Sequence, residues 1–486
     1  MRRLMVLPLL MATACSMNPR LDTPAPPVDA AFPQASPVEA PSAAALDWRD
    51  MFGDARLQRL IELALANNRD LRITTLNVEA ARSQFRVQRA AQLPSIDANG
   101  SYTRQRTPLE TATAGFGGGA PTGPVVGPVV GADRPTGIEF GQFNASAALT
   151  TFEIDLFGRL RSQSQAAFER YLASEQGRRA ARIALIGSVA DAYLAERLAT
   201  EQRALTERTL TDWRTSLDIA QRLRTARQTS GLEVAQAEGL VRQAEADLAL
   251  RTRALQLARN VLQLLVAAPL PSDLPPAVPL MAQPVVTRLP VGLPSDLIAN
   301  RPDIRQSEHE LVAANADVGA ARAAFFPRLS ITGLLGVTSL AFDGLFKGDN
   351  HTWSFSPQIS QPIFRGGGLR GQLALSQVRK SVAIAQYERT IQVAFREVSD
   401  GLAGRETYAT QAAAQARVID TASKRVALSD LRYRAGVDSR LELLDAQRSS
   451  YAARQAQLDL RRDELSSAAA LYRSLGGGDA EDGGRR

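Results

Sequence analysis

The chain has 486 residues, with 57 Lys and Arg against 50 Asp and Glu, a formal net charge of +7 and 45% hydrophobic residues. This composition excludes wholesale disorder, and the charge excess is too dilute to indicate nucleic-acid binding. The single cysteine and the two histidines, His309 and His351, exclude a disulfide framework, a Cys/His zinc site and a Cys–His nucleophile pair. We therefore expect no catalytic residue, no metal site and no cofactor.

The N-terminus has the pattern of an export signal. Two arginines precede a short apolar stretch that is too short to span a bilayer, and small residues then precede Cys15. Residues 1–14 are predicted to be a signal peptide, with Cys15 as a lipid-attachment site carrying palmitate. An ordinary signal peptide that happens to contain a cysteine stays open, because Ala12 stands where such sites usually have Leu. Residues 15–45 are rich in proline and predict a stiff, extended tether along a surface.

The placement of proline predicts where the helices are. No proline occurs between residues 136 and 268, and none occurs after Pro362. Because proline breaks helix interiors at a cost of about 3 kcal/mol, these two zones are predicted to be helical. Helices this long must pack as coiled coils or project as rods. The predicted spans are 160–225, 232–267, 369–434 and 441–475.

The sequence also indicates an internal duplication, with two repeats of one plan. A shift of 209 residues places Leu160 on Leu369 and Val189 on Val398, and earlier in each half a shift of 233 places Arg89 on Arg322. The change of shift indicates a longer loop in the first copy, within residues 107–137. We expect a first repeat at 46–268, a second at 269–475 that begins with a helix over 302–325, and a flexible tail at 476–486.

Each repeat contains a segment with alternating apolar and polar residues. Trp353, Phe355 and Ile359 alternate with small polar residues, and the pattern predicts β-hairpins at about 95–155 and 328–364. Each run is about 10 residues, which suits a tilted transmembrane strand. A soluble, half-buried sheet is the alternative. Four strands cannot close a membrane barrel, so the membrane interpretation requires oligomerisation.

Several runs in a fixed order carry a resemblance to a known family. They are residues 152–159, 293–297, 300–305, 320–327, 361–368, 433–437 and 444–448. With them the chain resembles the TolC-like outer-membrane factors, and more narrowly the OprM/NodT-type efflux lipoproteins. The resemblance implies an α+β membrane protein: a homotrimer with a long α-helical coiled-coil barrel, whose four transmembrane β-strands per chain complete a twelve-stranded barrel.

The resemblance also implies a location and partners. The protein would sit in the outer membrane of a Gram-negative bacterium, in contact with outer-membrane lipid, and extend into the periplasm. A periplasmic adaptor and an inner-membrane transporter of the resistance–nodulation–division (RND) type would supply it. The channel would be passive, with antibiotic or other drug efflux as its role. A duct for type I protein secretion and, in a different class, a non-channel periplasmic coiled-coil scaffold lipoprotein are the alternatives.

Functional residues are expected where the long helices turn. Leu441, Asp445 and Arg448 lie on one helix face at spacings of four and three, and the resemblance places a closed periplasmic gate at these positions. From the spacing alone, a solvated ion pair between Asp445 and Arg448 is the more usual outcome. The adaptor-contacting tips are predicted at Gly436, Val437 and Arg227.

The first copy departs from the second at this point. At the shift of 209, Gln236 replaces Asp445 and Gly239 replaces Arg448, so gate charges are expected from the second copy alone. Arg227 replaces Gly436, which calls into question whether the first tip makes the same turn. Arg227 could instead present a charge to the adaptor.

Overall fold

A computed structural model describes residues 17–22, 24–29, 32, 46–108, 137–290, 298 and 300–478. Cys15, the predicted signal peptide and most of the predicted tether lie outside these residues. The chain divides into two units. One includes Ser83–Phe168 and Ala313–Lys380, and the other includes Glu169–Val312 and Ser381–Arg486.

Helices make up most of the described residues, and two of them are 67 residues long. Where the sequence predicts 160–225 and 369–434, the long helices run over Arg159–Thr225 and Gly368–Arg434. The helix predicted over 302–325 ends at Ala323, four residues before Pro327, which disfavours helical backbone just ahead of it. Among the described helices, none combines the length and apolar character needed to cross a bilayer. In chain order the helices are α1 Trp48–Met51, α2 Ala55–Asn67, α3 Arg69–Ala90, α4 Arg159–Thr225, α5 Gly231–Val266, α6 Pro302–Ala323, α7 Gly368–Arg434 and α8 Arg440–Ser474.

The largest apolar core gathers short and long helices in one unit. Trp48 and Met51 of α1 and Tyr193 of α4 are at most 1% exposed, and they cluster with Tyr472 of α8. The buried Tyr193 hydroxyl donates to Asp54 Oδ2 at 2.6 Å, and Asp54 Oδ1 also caps α2 by accepting from the Arg56 backbone N–H at 2.8 Å. This core fixes the long helices against α1 and α2.

A four-stranded antiparallel sheet forms in the other unit. Its order is β1-β2-β3-β4, so β1 and β4 are its edges. Strand residues of the apolar parity are exposed, with Ile96 and Trp353 at 75% and Ile359 at 71%. A soluble, half-buried sheet would cover one face with its own chain, so this exposure argues against that alternative. The strands are β1 Ile96–Pro108, β2 Gly137–Ile154, β3 Arg328–Ser339 and β4 His351–Ser360.

The first residues of corresponding helices are separated by the same two offsets, 209 and 233 residues, that relate the two repeats in the sequence. α4 and α7 have equal lengths and start 209 residues apart, and so do the starts of α5 and α8. α3 and α6 are both 22 residues long and start 233 residues apart. α3, α4 and α5 of the first half therefore have counterparts of similar length in the second half, which are α6, α7 and α8.

The prediction of a flexible tail at residues 476–486 needs correction at its start. Gly476 and Gly478, placed in the flexible tail, are buried and have φ of 84° and 94°. They terminate α8 in a tight turn, and Gly478 accepts a hydrogen bond from Arg182 at 2.6 Å. In the predicted surface tether, Phe32 is only 4% exposed, because its ring stacks on Phe395 at 4.8 Å. Residues 479–486 lie outside the described residues.

Candidate functional site

The turn between α7 and α8 has a left-handed residue at its centre. Gly436 has a φ of 72° and donates from its backbone N–H to the Tyr433 carbonyl at 3.0 Å. The Val437 N–H donates to the Arg432 carbonyl, also at 3.0 Å. These two bonds satisfy carbonyls that the end of a helix leaves unpaired. A Cβ on Gly436 would meet nothing within 4 Å, so the backbone conformation alone favours glycine here.

The turn between α4 and α5 is the same turn made without glycine. Arg227 has a φ of 60°, and its N–H donates to the Arg224 carbonyl at 2.9 Å. The Gln228 N–H donates to the Leu223 carbonyl at 2.8 Å, the counterpart of the Val437 bond. Both helical hairpins, α4–α5 (the first hairpin) and α7–α8 (the second hairpin), therefore make the same turn. This answers the question that the missing glycine raised. Left-handed backbone costs a non-glycine residue about 1 kcal/mol or more, so Arg227 is strained where Gly436 is not.

The predicted gate residues lie in the first turns of α8. Leu441 is 53% exposed. Asp445 Oδ1 accepts from Arg448 Nη2 at 2.7 Å, so the ion pair predicted from the spacing is present. Asp445 and Arg448 are thus in contact, whereas Leu441 presents its side chain to solvent.

A second basic residue, Arg425, completes this charged cluster of Arg425, Glu442, Asp445 and Arg448 and was missed by sequence reasoning. Arg425 on α7 donates through Nη2 to Asp445 Oδ2 at 2.9 Å and to Glu442 Oε1 at 2.8 Å. Arg425 therefore joins the two helices of the second hairpin through the predicted gate carboxylate. One signal could have found it: α7 and α8 run back along each other from Gly436, and Arg425 and Asp445 are nearly equidistant from that turn.

The electrostatics of the cluster follow from these contacts. Hydrogen bonds from Arg425 first, and from Arg448 second, hold the pKa of Asp445 below its usual range. The hydrogen bonds of Arg425 to Glu442 first, and to Asp445 second, raise the pKa of Arg425. All four side chains are at least one-third exposed, so salt and water screen the ion pairs and they can be exchanged for other partners.

The first helical hairpin, α4–α5, lacks charged residues at three of the four equivalent positions. Its residues at the positions of Arg425, Asp445 and Arg448 are Ser216, Gln236 and Gly239. Glu233, the counterpart of Glu442, instead accepts from Thr229 Oγ1 at 2.6 Å beside the Ser230 cap of α5. At these positions the charges are therefore on the second hairpin, whereas the first hairpin carries a separate cluster farther from its turn, in which Arg214 of α4 donates to Glu245 of α5 at 2.8 Å.

A buried arginine links the two hairpins. Arg440, the first residue of α8, is 2% exposed. It donates to Ser216 Oγ of α4 at 2.8 Å and to the Ser216 carbonyl, and its guanidinium lies 5.5 Å from the centre of the Tyr433 ring. Further along, Trp213 of α4 packs edge-on against Tyr451 of α8 at 5.8 Å. The charged cluster is thus held on a rigid support contributed by the other repeat.

Comparison of the sequence with known proteins finds relatives over nearly the whole chain. The family described as outer membrane efflux protein matches residues 60–268 and 293–477, one match in each repeat. The solvent efflux pump outer membrane protein SrpC of Pseudomonas putida is 43% identical over 476 residues, covering 97% of both chains. The outer membrane protein OprJ of Pseudomonas aeruginosa is 40% identical over 466 residues, covering 96% of this chain and 93% of that protein.

Comparison of the fold leads to the same group of proteins. The structure is similar to the open state of the MtrE outer membrane channel of Neisseria gonorrhoeae, with a TM-score of 0.84 and 37% sequence identity. That match covers 96% of this chain and 98% of the channel. The predicted α+β fold class, with long helices and four antiparallel strands, is confirmed.

Proposed function

The chain belongs to the outer membrane efflux protein family, and from that premise we propose that it is the outer-membrane exit duct of a tripartite efflux system. The resemblance to the TolC-like factors is confirmed, and so is a location in the outer membrane of a Gram-negative bacterium. As a passive channel, the duct needs no catalytic chemistry of its own. Energy and most of the substrate selection come from partner proteins.

The observation that carries this proposal is the sheet with two edge strands. Within the part of the chain that the structure describes, β1 and β4 each pair with one neighbouring strand, and the apolar side chains of the sheet are exposed. In lipid, unpaired backbone groups are costly, so such a sheet must close by pairing with other copies. We propose a homotrimer, in which three copies of the four strands form a twelve-stranded barrel around one channel.

The names of the relatives indicate the type of cargo. One is a solvent efflux pump protein, and others are named as toluene and antibiotic efflux pump proteins. We propose that this duct carries small toxic compounds or drugs, delivered by an RND-type inner-membrane transporter through a periplasmic adaptor. Type I protein secretion is the second candidate. It uses the same kind of duct, so the transporter that co-purifies with the protein distinguishes the two.

The charged cluster is proposed to act as the periplasmic gate. In a trimer, Leu441, Asp445 and Arg448 of three copies would form successive rings around the threefold axis. An apolar ring resists wetting, and charged rings control ion passage. Arg425 would stabilise the closed state, because it bonds to Asp445 and Glu442 and so holds α8 against α7 within each copy. A partner that drew Arg425 away would free the start of α8 to move outward.

The two hairpin turns are proposed to contact the adaptor. Val437 is 65% exposed directly after Gly436, and Arg227 is exposed at the equivalent position of the first hairpin. The second turn thus presents an apolar side chain and the first a guanidinium. At the other end of the chain, Cys15 is proposed to carry the lipid anchor that supplements the membrane strands.

Single-channel conductance tests the duct and its gate. Detergent-purified wild type is inserted into planar bilayers beside a variant with Asp445→Ala and Arg448→Ala. A nearly silent wild type and a strongly conducting variant would support both proposals. Equal conductance would refute the gate and leave the duct intact. If neither protein inserts, the duct is wrong and the periplasmic scaffold becomes the better description.

A further inference from the structure

A basic cavity lies where the end of α2, the start of α3 and α4 meet. Its volume is about 560 Å³, which is typical of cavities that hold small ligands. Among the described residues that line it there is no aspartate and no glutamate, whereas four are arginines. We propose that this cavity binds a soluble anion that carries two or more phosphate or carboxylate groups. The four arginines are Arg69, Arg72, Arg178 and Arg182.

The backbone at the base of the cavity is fixed by Asn68, the residue between α2 and α3. Asn68 is buried, and its side chain donates to the Leu265 carbonyl of α5 at 2.9 Å. Its side-chain oxygen accepts from the Leu71 N–H, also at 2.9 Å, and so caps the first turn of α3. The start of α3, which carries Arg69 and Arg72, is therefore held in place before any ligand binds.

The arginines supply most of the hydrogen-bond donors of the lining. Asn67 and Thr75 each donate to a backbone carbonyl of their own helix at 2.9 Å. Arg182 donates through Nη1 to the Gly478 carbonyl at 2.6 Å. Because a guanidinium has five N–H donors, Arg182 can make this bond and still donate to a ligand in the cavity.

The chemistry of arginine indicates the class of ligand. A planar guanidinium pairs with a phosphate or a carboxylate through two parallel hydrogen bonds, and it stays charged at physiological pH. Arg178 and Arg182 are half-buried, so repulsion between neighbouring positive charges is screened less than at an open surface. An anion with two charged groups would offset this repulsion and could join Arg72 of α3 to Arg178 of α4.

The second repeat shows that helix packing does not require these arginines. The shift of 209 places Arg178 on Tyr387 and Arg182 on Ile391. Tyr387 and Ile391 are 5% and 3% exposed, so the equivalent surface of α7 is packed and carries no charge at these two positions. The same helix can therefore be built with uncharged side chains at both positions.

The helix that faces this surface differs in the same direction. At the shift of 233, Glu308 of α6 replaces Thr75 of α3. Burial first, and the nearby Glu308 second, raise the pKa of Tyr387, so α6 and α7 make the counterpart of the α3–α4 contact. Of the four arginines, only Arg72 has a basic counterpart, Arg305. The basic lining is therefore specific to the first repeat.

Titration with defined anions tests the site. Detergent-purified wild type is titrated in a calorimeter with pyrophosphate and, separately, with citrate, at constant ionic strength. We expect at least one of these anions to bind and to raise the unfolding temperature as its concentration rises. Arg72→Gln and Arg178→Gln should each weaken binding about tenfold or more, because each removes charge-assisted hydrogen bonds. The anion that binds more tightly identifies phosphate or carboxylate as the recognised group.

Arg305→Gln is the matched control for Arg72→Gln. Arg305 is exposed, as Arg72 is, and it occupies the equivalent position of the second repeat. The control removes the same charge outside the cavity, so binding should be unchanged. An equal loss of affinity in the two variants would show that the anions respond only to net positive charge, and the site would be wrong. A wild type that binds neither anion would also overturn it.

A defect of folding must be separated from a defect of binding. Arg69 and Arg72 are exposed, so Arg69→Gln and Arg72→Gln should keep the wild-type far-ultraviolet circular dichroism spectrum. If these variants are folded and still bind as tightly as the wild type, the cavity is not the binding site. Weaker binding by folded variants would support it.

A lipid headgroup carries the same phosphate chemistry, and a further titration distinguishes it from a soluble anion. Phosphatidylglycerol is added to the detergent micelles in place of pyrophosphate or citrate. If this lipid stabilises the chain in a way that depends on Arg72 while both soluble anions fail, the inference is wrong. None of these measurements involves conductance, so their failure would leave the proposed duct intact, and failure of the duct would leave the anion site intact.

Discussion

Arg425 on α7 donates a hydrogen bond to the Asp445 carboxylate on α8 at 2.9 Å, while Arg448 donates to the other oxygen of that carboxylate at 2.7 Å. One carboxylate therefore receives one cation from its own helix and one from the neighbouring helix. The Arg448 contact can move with α8, whereas the Arg425 contact must break if α8 leaves α7. Near the turn of the second hairpin, the Arg425 bond therefore reports on separation of the two helices.

This arrangement predicts a pH dependence for the gate. The pKa of Asp445 is lowered in the folded protein, so its ion pairs stabilise the structure above the ordinary aspartate pKa and are lost as the pH falls through the lowered value. Arg425→Gln removes the largest cause of the lowering, and the pKa moves upward. We expect the acidic pH at which conductance rises to be higher in this variant than in the wild type. Conductance recorded over an acidic pH series measures the shift.

Lys424 provides the matched control for that experiment. It neighbours Arg425 and pairs with Asp420 on its own helix at 2.7 Å. Lys424→Gln removes the same charge from α7 without touching Asp445, and it should leave the pH profile unchanged. An equal shift in both variants would mean that net charge, and not the Arg425 contact, sets the profile.

The two turns should respond in opposite ways to substitution. Gly436→Ala places a Cβ on left-handed backbone where no neighbouring atom clashes, so the expected cost is about 1 kcal/mol and purely conformational. Arg227→Gly relieves the same strain at the equivalent turn, and the local stability should be unchanged or slightly higher. Hydrogen exchange of the turn amides measures both effects. Destabilisation by Arg227→Gly would show that the Arg227 side chain stabilises the turn by contacts of its own.

Removing Arg440 should loosen the start of α8. Its side chain is buried and donates to Ser216 of the other repeat, so Arg440→Ala is expected to cost about 2 kcal/mol. Faster hydrogen exchange in the first turns of α8 would report the loss. Arg434→Ala is the comparison, because Arg434 is exposed and pairs with Asp430 on its own helix, an interaction worth about 0.5 kcal/mol. Similar exchange in the two variants would contradict an anchoring role for Arg440.

Loss of the proposed acylation should leave membrane insertion intact. Cys15→Ser is expected to abolish incorporation of labelled palmitate, because the chain has no other cysteine. The processed protein should still fractionate with the outer membrane, since the exposed apolar strand residues need lipid in any case. Release into the soluble periplasmic fraction would mean that the strands do not insert and that lipid alone holds the protein.

Much of the architecture follows from local and repetitive features of the chain. Proline is excluded from long segments that form α4 and α7, and the shifts of 209 and 233 reappear in the helix bounds. Alternation of apolar and polar residues located the four strands. These features can be predicted from the sequence because helix continuity and strand alternation depend on residues that are only a few positions apart.

The details of the candidate site depended on contacts that sequence spacing does not show. The Asp445–Arg448 pair was predicted from its position on one helix, but the bond from Arg425 required the path of a second helix. The left-handed conformation of Arg227 contradicts its residue type, because packing of the hairpin outweighs a local cost of about 1 kcal/mol. Arg440 could not be distinguished from an exposed arginine until α4 was placed beside it. Local propensity and repetition determine which elements form, whereas side-chain partners far apart in sequence are determined only once those elements pack.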